Sequence, residues 1–105
     1  MKILDHEPQQ WFLVQDGDAV LLDVACSHSA FQYDFQLELN EAEKAAYAEG
    51  GHTYLNRLTY SIHYSAPGVI GNSSPYKSRK LEAVKVAQMQ ISILSWVREN
   101  GTKEG

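Results

Sequence analysis

The chain reads as a single α+β domain, built as a three-stranded antiparallel meander followed by two helices packed on the sheet. Three observations carry that reading. An Asp-Gly pair sits between two apolar runs, Trp11–Val14 and Ala19–Cys26, which is a strong short-range hairpin signal because the tight turn needs positive φ. Residues 31–39 alternate apolar and polar without a break, giving one buried and one wet strand face. The stretch from Tyr76 to Arg98 contains no glycine or proline and is too long for an ordinary strand, so it reads as a helix.

Each element follows from local chemistry. In the hairpin, Trp11, Phe12, Leu13 and Val14 favour extended backbone. A two-residue turn pairs Gln15 with Asp18, Leu13 with Val20 and Trp11 with Leu22. This puts Trp11, Leu13, Val20, Leu22, Val24 and Cys26 on one face. Phe12, Val14 and Leu21 lie on the other face, which also calls for cover. The third strand buries Phe31, Tyr33, Phe35, Leu37 and Leu39. Asn40 followed three residues later by Glu43 is a helix start, with Glu41 and Glu43 suited to the positive end of the helix dipole. The segment 54–64 fits a helix that resumes after Gly50-Gly51, because Leu55, Leu58 and Ile62 recur at helical spacing; its alternative is a fourth strand, since Leu58, Tyr60, Ile62 and Tyr64 also alternate. Ser74-Pro75 looks like a cap with proline at the first helical position. The helix placed after it carries two apolar stripes, one holding Leu81, Val84, Ala87, Ile91 and Leu94, the other Val86, Met89, Ile93, Trp96 and Val97. One stripe meets the sheet, and the other is expected to meet the first helix or a second subunit. The ends, about 1–8 and 100–105, are expected to be loose.

Composition narrows the function classes. The chain has 105 residues, a net charge of −4 and one cysteine. A single cysteine excludes an intrachain disulfide framework and suits a reducing, cytoplasmic setting. No apolar run approaches the ~20 residues that span a bilayer. Residues 1–50 hold ten acids and two bases, whereas 51–105 hold seven bases and three acids. Such a bipolar chain lacks the continuous basic surface that nucleic acid requires.

No catalytic set is expected. Cys26 and His28 are spaced to share a strand side, with His63 as a further neighbour, but a lone cysteine is usually a buried core residue. The four histidines and Cys26 lack zinc spacing, so neither metal nor cofactor is expected. Asp34 and Glu38 are separated by ~13 Å of strand rise, too far for a glycosidase pair. The P-loop pattern fails at Tyr76, which stands where a glycine must precede the lysine.

Surfaces carry the remaining signal. The expected function is that of a protein-binding domain, in its concrete form a bacterial inhibitor or antidote whose acidic residues Asp34, Glu38 and Glu41 occupy a basic cleft. Tyr76, Lys77, Arg79 and Lys80 are expected to add partner contacts, or to bind a small anion near Ser74–Lys80 at a helix start. A homodimer is expected to use Met89, Ile93 and Trp96. The alternative is a small-ligand or enzymatic domain with its pocket near His28, His63 and the 66–74 loop.

Overall fold

In the computed structural model, residues 1–28, 31–69 and 73–100 are described. Four strands, β1 (Lys2–Glu7), β2 (Trp11–Asp16), β3 (Ala19–His28) and β4 (Phe31–Glu38), precede helix α1 (Glu41–Ser65). A three-residue 3₁₀ turn, Lys77–Arg79, then leads to helix α2 (Ala83–Asn100). The strands form one antiparallel sheet in chain order.

The sheet is the middle layer of three. On one face, Leu55, Leu58 and Ile62 of α1 pack with Trp11, Leu13, Leu22, Val24, Phe35 and Leu37. On the other, Met89 and Ile93 of α2 pack with Val14 and Leu21, edged by Ile3, Phe12, Ala19 and Leu81. The apolar second face of the hairpin thus finds its cover in α2 of the same chain. Burial of apolar side chains on both faces is the main stabilising contribution, at ~25 cal/mol per Å².

The β2–β3 hairpin turns one residue later than expected, on Gly17 and Asp18. Asp16 pairs with Ala19, Leu13 with Leu22 and Trp11 with Val24. Gly17 takes the positive φ the turn needs. Moving the turn by one residue changes every pairing by two positions, so side-chain faces are preserved.

The amino-terminal segment, expected to be loose over 1–8, is the fourth strand. β1 lines β2 with a register shift between Ile3 and Asp5. The irregularity puts Ile3 and His6 toward α2 while Asp5 and Glu7 face α1. There Asp5 and Glu7 grip His52 of α1, at 3.0 and 2.8 Å from Nδ1 and Nε2. Charged residues at both ends concealed this strand from a hydrophobic-pattern reading.

The segment 54–64 is helical and belongs to α1, not to a fourth strand. α1 begins with the expected capping box, Asn40 accepting from the Glu43 amide at 2.8 Å and Glu43 accepting from the Asn40 amide at 2.9 Å. It kinks at Gly51, whose φ of 58° and ψ of −142° lie outside the helical region. Helical backbone breaks at Gly51 and resumes with His52, which faces β1.

α2 begins at Ala83 rather than after Pro75. Before it, Lys80 bridges Leu37, and the Leu81 amide donates to the Gln36 carbonyl at 3.0 Å. That extended pairing covers one end of the β4 edge and carries the chain across to the second face of the sheet.

Candidate functional site

Most residues singled out in the sequence are engaged within the chain. Arg79 makes a paired contact with Glu43, Nη1 to Oε2 at 3.0 Å and Nη2 to Oε1 at 2.5 Å, and also donates to the Glu38 carbonyl at 2.7 Å. Burial alone would raise the Glu43 carboxyl, but the Arg79 guanidinium and the Asn40 amide hold it below its ordinary value. This fork ties the start of α1 to the connection before α2. Lys77 donates to the Val69 carbonyl at 2.8 Å, Tyr76 is half-buried at the rim of the α1-side core, and Lys80 is exposed. The helix start on which an anion site near Ser74–Lys80 rested lies instead at Ala83. Residues 77–79 form a short 3₁₀ turn.

The expected dimer stripe is a correction. Met89 and Ile93 are 0% and 6% exposed and belong to the α2-side core. Trp96 packs edge-on against Phe12 and His6, with centroids 5.7 and 4.6 Å away. These three residues hold α2 to its own sheet.

Cys26 is buried, and burial pushes its thiol up to about 11, so it carries little thiolate at neutral pH. His63 Nδ1 accepts weakly from the Ser27 amide at 3.4 Å. A cavity of about 300 Å³ lies beside it, lined in part by Gln9, Gln10, Asn56, Thr59 and Tyr60. Of the pocket expected near His28, His63 and the 66–74 loop, the His28 side chain and residues 70–72 fall outside the described residues. Among the described residues, no three His, Cys, Asp or Glu side chains gather in a way that would hold a metal ion. No described helix is long and apolar enough to cross a membrane.

The acidic residues do not form one patch. Glu38 lies four residues along β4 from Asp34, roughly 13 Å away by strand rise. Glu41 sits at the start of α1, 3.2 Å from Lys44. Asp34 occupies a different setting, which the sequence pattern alone did not define.

That setting is a corner between α2 and an uncovered part of the sheet. α2 lies along β2 and reaches β1. Its first turn is tied to β2 by Lys85–Asp16 at 2.6 Å, and its last turns reach β1 and β2 through Trp96. The far end of the β3–β4 hairpin is therefore left bare on this side, with Ala25, Ser27, Gln32 and Asp34 exposed. Cavities of about 520 and 180 Å³ lie over this floor, the smaller reaching Ile93 and Asp23.

The wall of the corner is apolar. Gln90 reaches Asp23 of β3 at 3.4 Å, so the flank of α2 carrying Gln90 faces β3 and β4. Leu94 and Val97 follow Gln90 by four and seven residues and share that flank. Val84, Ile91 and Leu94 are 67, 69 and 60% exposed. The exposed residues of α2, from Ala83 and Val84 through Ala87, Gln88, Ile91, Leu94, Ser95 and Val97 to Arg98 and Glu99, carry charge only in the last turn. A helix with one face on the core ordinarily presents charged and polar residues outward.

Under the wall, Asp23 is largely buried. Its Oδ1 accepts from Gln36 Nε2 at 2.9 Å. Burial, with the nearby Asp34 charge, raises its pKa to about 6. Two carboxylates thus share the floor, and neither has an ion-pair partner among the described residues.

The architecture is that of a small α+β domain with one helix on each face of a four-stranded antiparallel sheet. Comparison with protein families, characterised proteins and solved structures finds no match for this chain.

Proposed function

We propose that this chain is a protein-interaction domain that seats an amphipathic helix of a partner in the corner between α2 and the bare end of the β3–β4 hairpin. The observation that carries this reading is the outward face of α2, where Val84, Ile91 and Leu94 are each more than half exposed, on a helix that meets the concave floor at Ile93. Contiguous exposed apolar surface of this kind marks interaction sites. The floor sets the partner's chemistry. Asp23 and Asp34 favour a helix whose apolar stripe is bordered by a base, since complementary charge aligns and accelerates docking. Of the acidic residues expected to face a basic partner, Asp34 remains at the centre of this surface, whereas Glu38 and Glu41 lie away from it.

A photo-crosslinking side chain placed at Ile91 in the full-length protein, expressed in its native cell, tests the reading. A discrete polypeptide adduct is expected, lost when Asp34→Lys or Leu94→Glu is added and absent when the crosslinker sits at exposed Gln15. Absence of any polypeptide adduct at Ile91, or an adduct indifferent to both substitutions, refutes it.

A further inference from the structure

We infer that the helix seated in this corner is α2 of a second copy of the chain, an inference that rests on the docking reading above. The partner chemistry that the corner demands is an aliphatic stripe with a base on the same face, and α2 has both. Val84, Ala87, Ile91, Leu94 and Arg98 recur at alternating spacings of three and four. This is the three-four spacing by which two helices pack side by side, here with β-branched Val84 and Ile91 alternating with Ala87 and Leu94. Two copies related by a two-fold axis would each offer the stripe and each receive it.

Charge fits the same arrangement. Arg98 is exposed and has no ion-pair partner among the described residues, and the same holds for Asp34 at the bare end of β4. A copy of α2 laid parallel beside the first brings its Arg98 toward Asp34, since Trp96 near the carboxyl end of α2 packs on Phe12, at the same end of the sheet.

Size sets the expected strength. The α2 strip is roughly 27 Å long and 10 Å wide, and the bare hairpin end adds roughly 14 Å by 10 Å. The two copies together bury roughly 800 Å², below the ~1,200 Å² of stable complexes and in the range of weak, transient ones, so association in the tens to hundreds of micromolar is expected.

Sedimentation velocity on the purified full chain from about 5 to 200 µM tests the inference. The wild-type protein is expected to move from monomer to dimer across this range. Ile91→Glu and Leu94→Glu are each expected to weaken the dimer at least ~30-fold. Their circular dichroism should stay unchanged, because both side chains already face solvent. Arg98→Asp should weaken the dimer, and adding Asp34→Lys should restore it. A wild-type protein that stays monomeric at 200 µM, a dimer indifferent to Ile91→Glu and Leu94→Glu, or failure of Asp34→Lys to restore the Arg98→Asp dimer overturns the inference. A monomer that still forms a heterologous adduct at Ile91 would leave the docking reading standing, whereas a monomer with no adduct removes both.

Discussion

Replacing Asp23 with asparagine should make the protein more stable at neutral pH and leave it almost unchanged in acid. Asp23 lies between β3 and α2, largely out of water, accepting from Gln36 and Gln90. Burial is the largest cause of its raised pKa, and the Asp34 charge adds to it. In the unfolded chain the carboxyl ionises near its ordinary value of 3.8, whereas in the folded protein it holds its proton to about 6. The folded state therefore binds the proton more tightly. The cost of ionising Asp23 within the fold is absent below 3.8, grows as pH rises and is complete above about 6. A rise of this size corresponds to about 3 kcal/mol. Asparagine keeps the shape and an acceptor for Gln36 but never ionises. Urea unfolding at pH 3.5 and pH 7.5, followed by tryptophan fluorescence, measures the difference. Asp23→Asn should gain about 2–3 kcal/mol relative to wild type between the two conditions. Asp34→Asn should give a smaller gain in the same direction, because it removes only the secondary cause. A mutant-to-wild-type difference that does not vary with pH, or that grows toward acid, would refute the placement of Asp23 as a desolvated carboxylate.

Three further outcomes follow from the packing. Ile93→Glu should unfold the protein, costing more than ~3 kcal/mol, whereas Ile91→Glu, two residues away, should leave thermal unfolding nearly unchanged; equal effects in a thermal melt would contradict the facing of α2. Gly68→Ala should destabilise by about 1–3 kcal/mol in urea titration, since a Cβ there runs into the Tyr33 ring and the Gly68 amide donates to the Tyr33 hydroxyl at 3.2 Å. His52 is raised above its ordinary 6.5 by hydrogen bonds to Glu7 and then Asp5. The stability it adds is present below 6.5 and lost as pH rises through its raised value. Because the pair is largely in water, His52→Gln should cost no more than ~1 kcal/mol at pH 6, and an imidazole titration by NMR that falls below 6.5 would contradict the clamp.

What the sequence made legible was whatever depended on local periodicity. The alternation of Phe31 to Leu39 defined β4 and its buried face. Asn40 and Glu43 located the start of α1, because a capping box is a contact between residues three apart. β1 escaped the same reading. Its side chains Asp5, His6 and Glu7 pack against residues distant in sequence, His52 on one face and Trp96 on the other. The start of α2 escaped for a similar reason. Ser74-Pro75 is an acceptable helix start locally, but Lys80 and Leu81 pair with β4, and that long-range pairing outweighs the local preference.

The two stripes of α2 show how the buried and exposed faces were interchanged: Met89 and Ile93 pack on the sheet, while Val84, Ile91 and Leu94 face outward. Both are apolar, and a helical wheel assigns them no order. What orders them lies elsewhere in the chain. Val14 and Leu21 make a groove that takes Met89 and Ile93, while Lys85 reaches Asp16 on one flank and Gln90 reaches Asp23 on the other. These contacts fix the rotation of the helix about its axis, and that rotation turns Val84, Ile91 and Leu94 outward. The packing of Trp96 on Phe12 and His6 holds α2 over β1 and β2, so Ala25, Ser27, Gln32 and Asp34 at the end of the β3–β4 hairpin stay exposed. The exposed stripe and the bare floor thus have one cause, the placement of α2 on the first two strands.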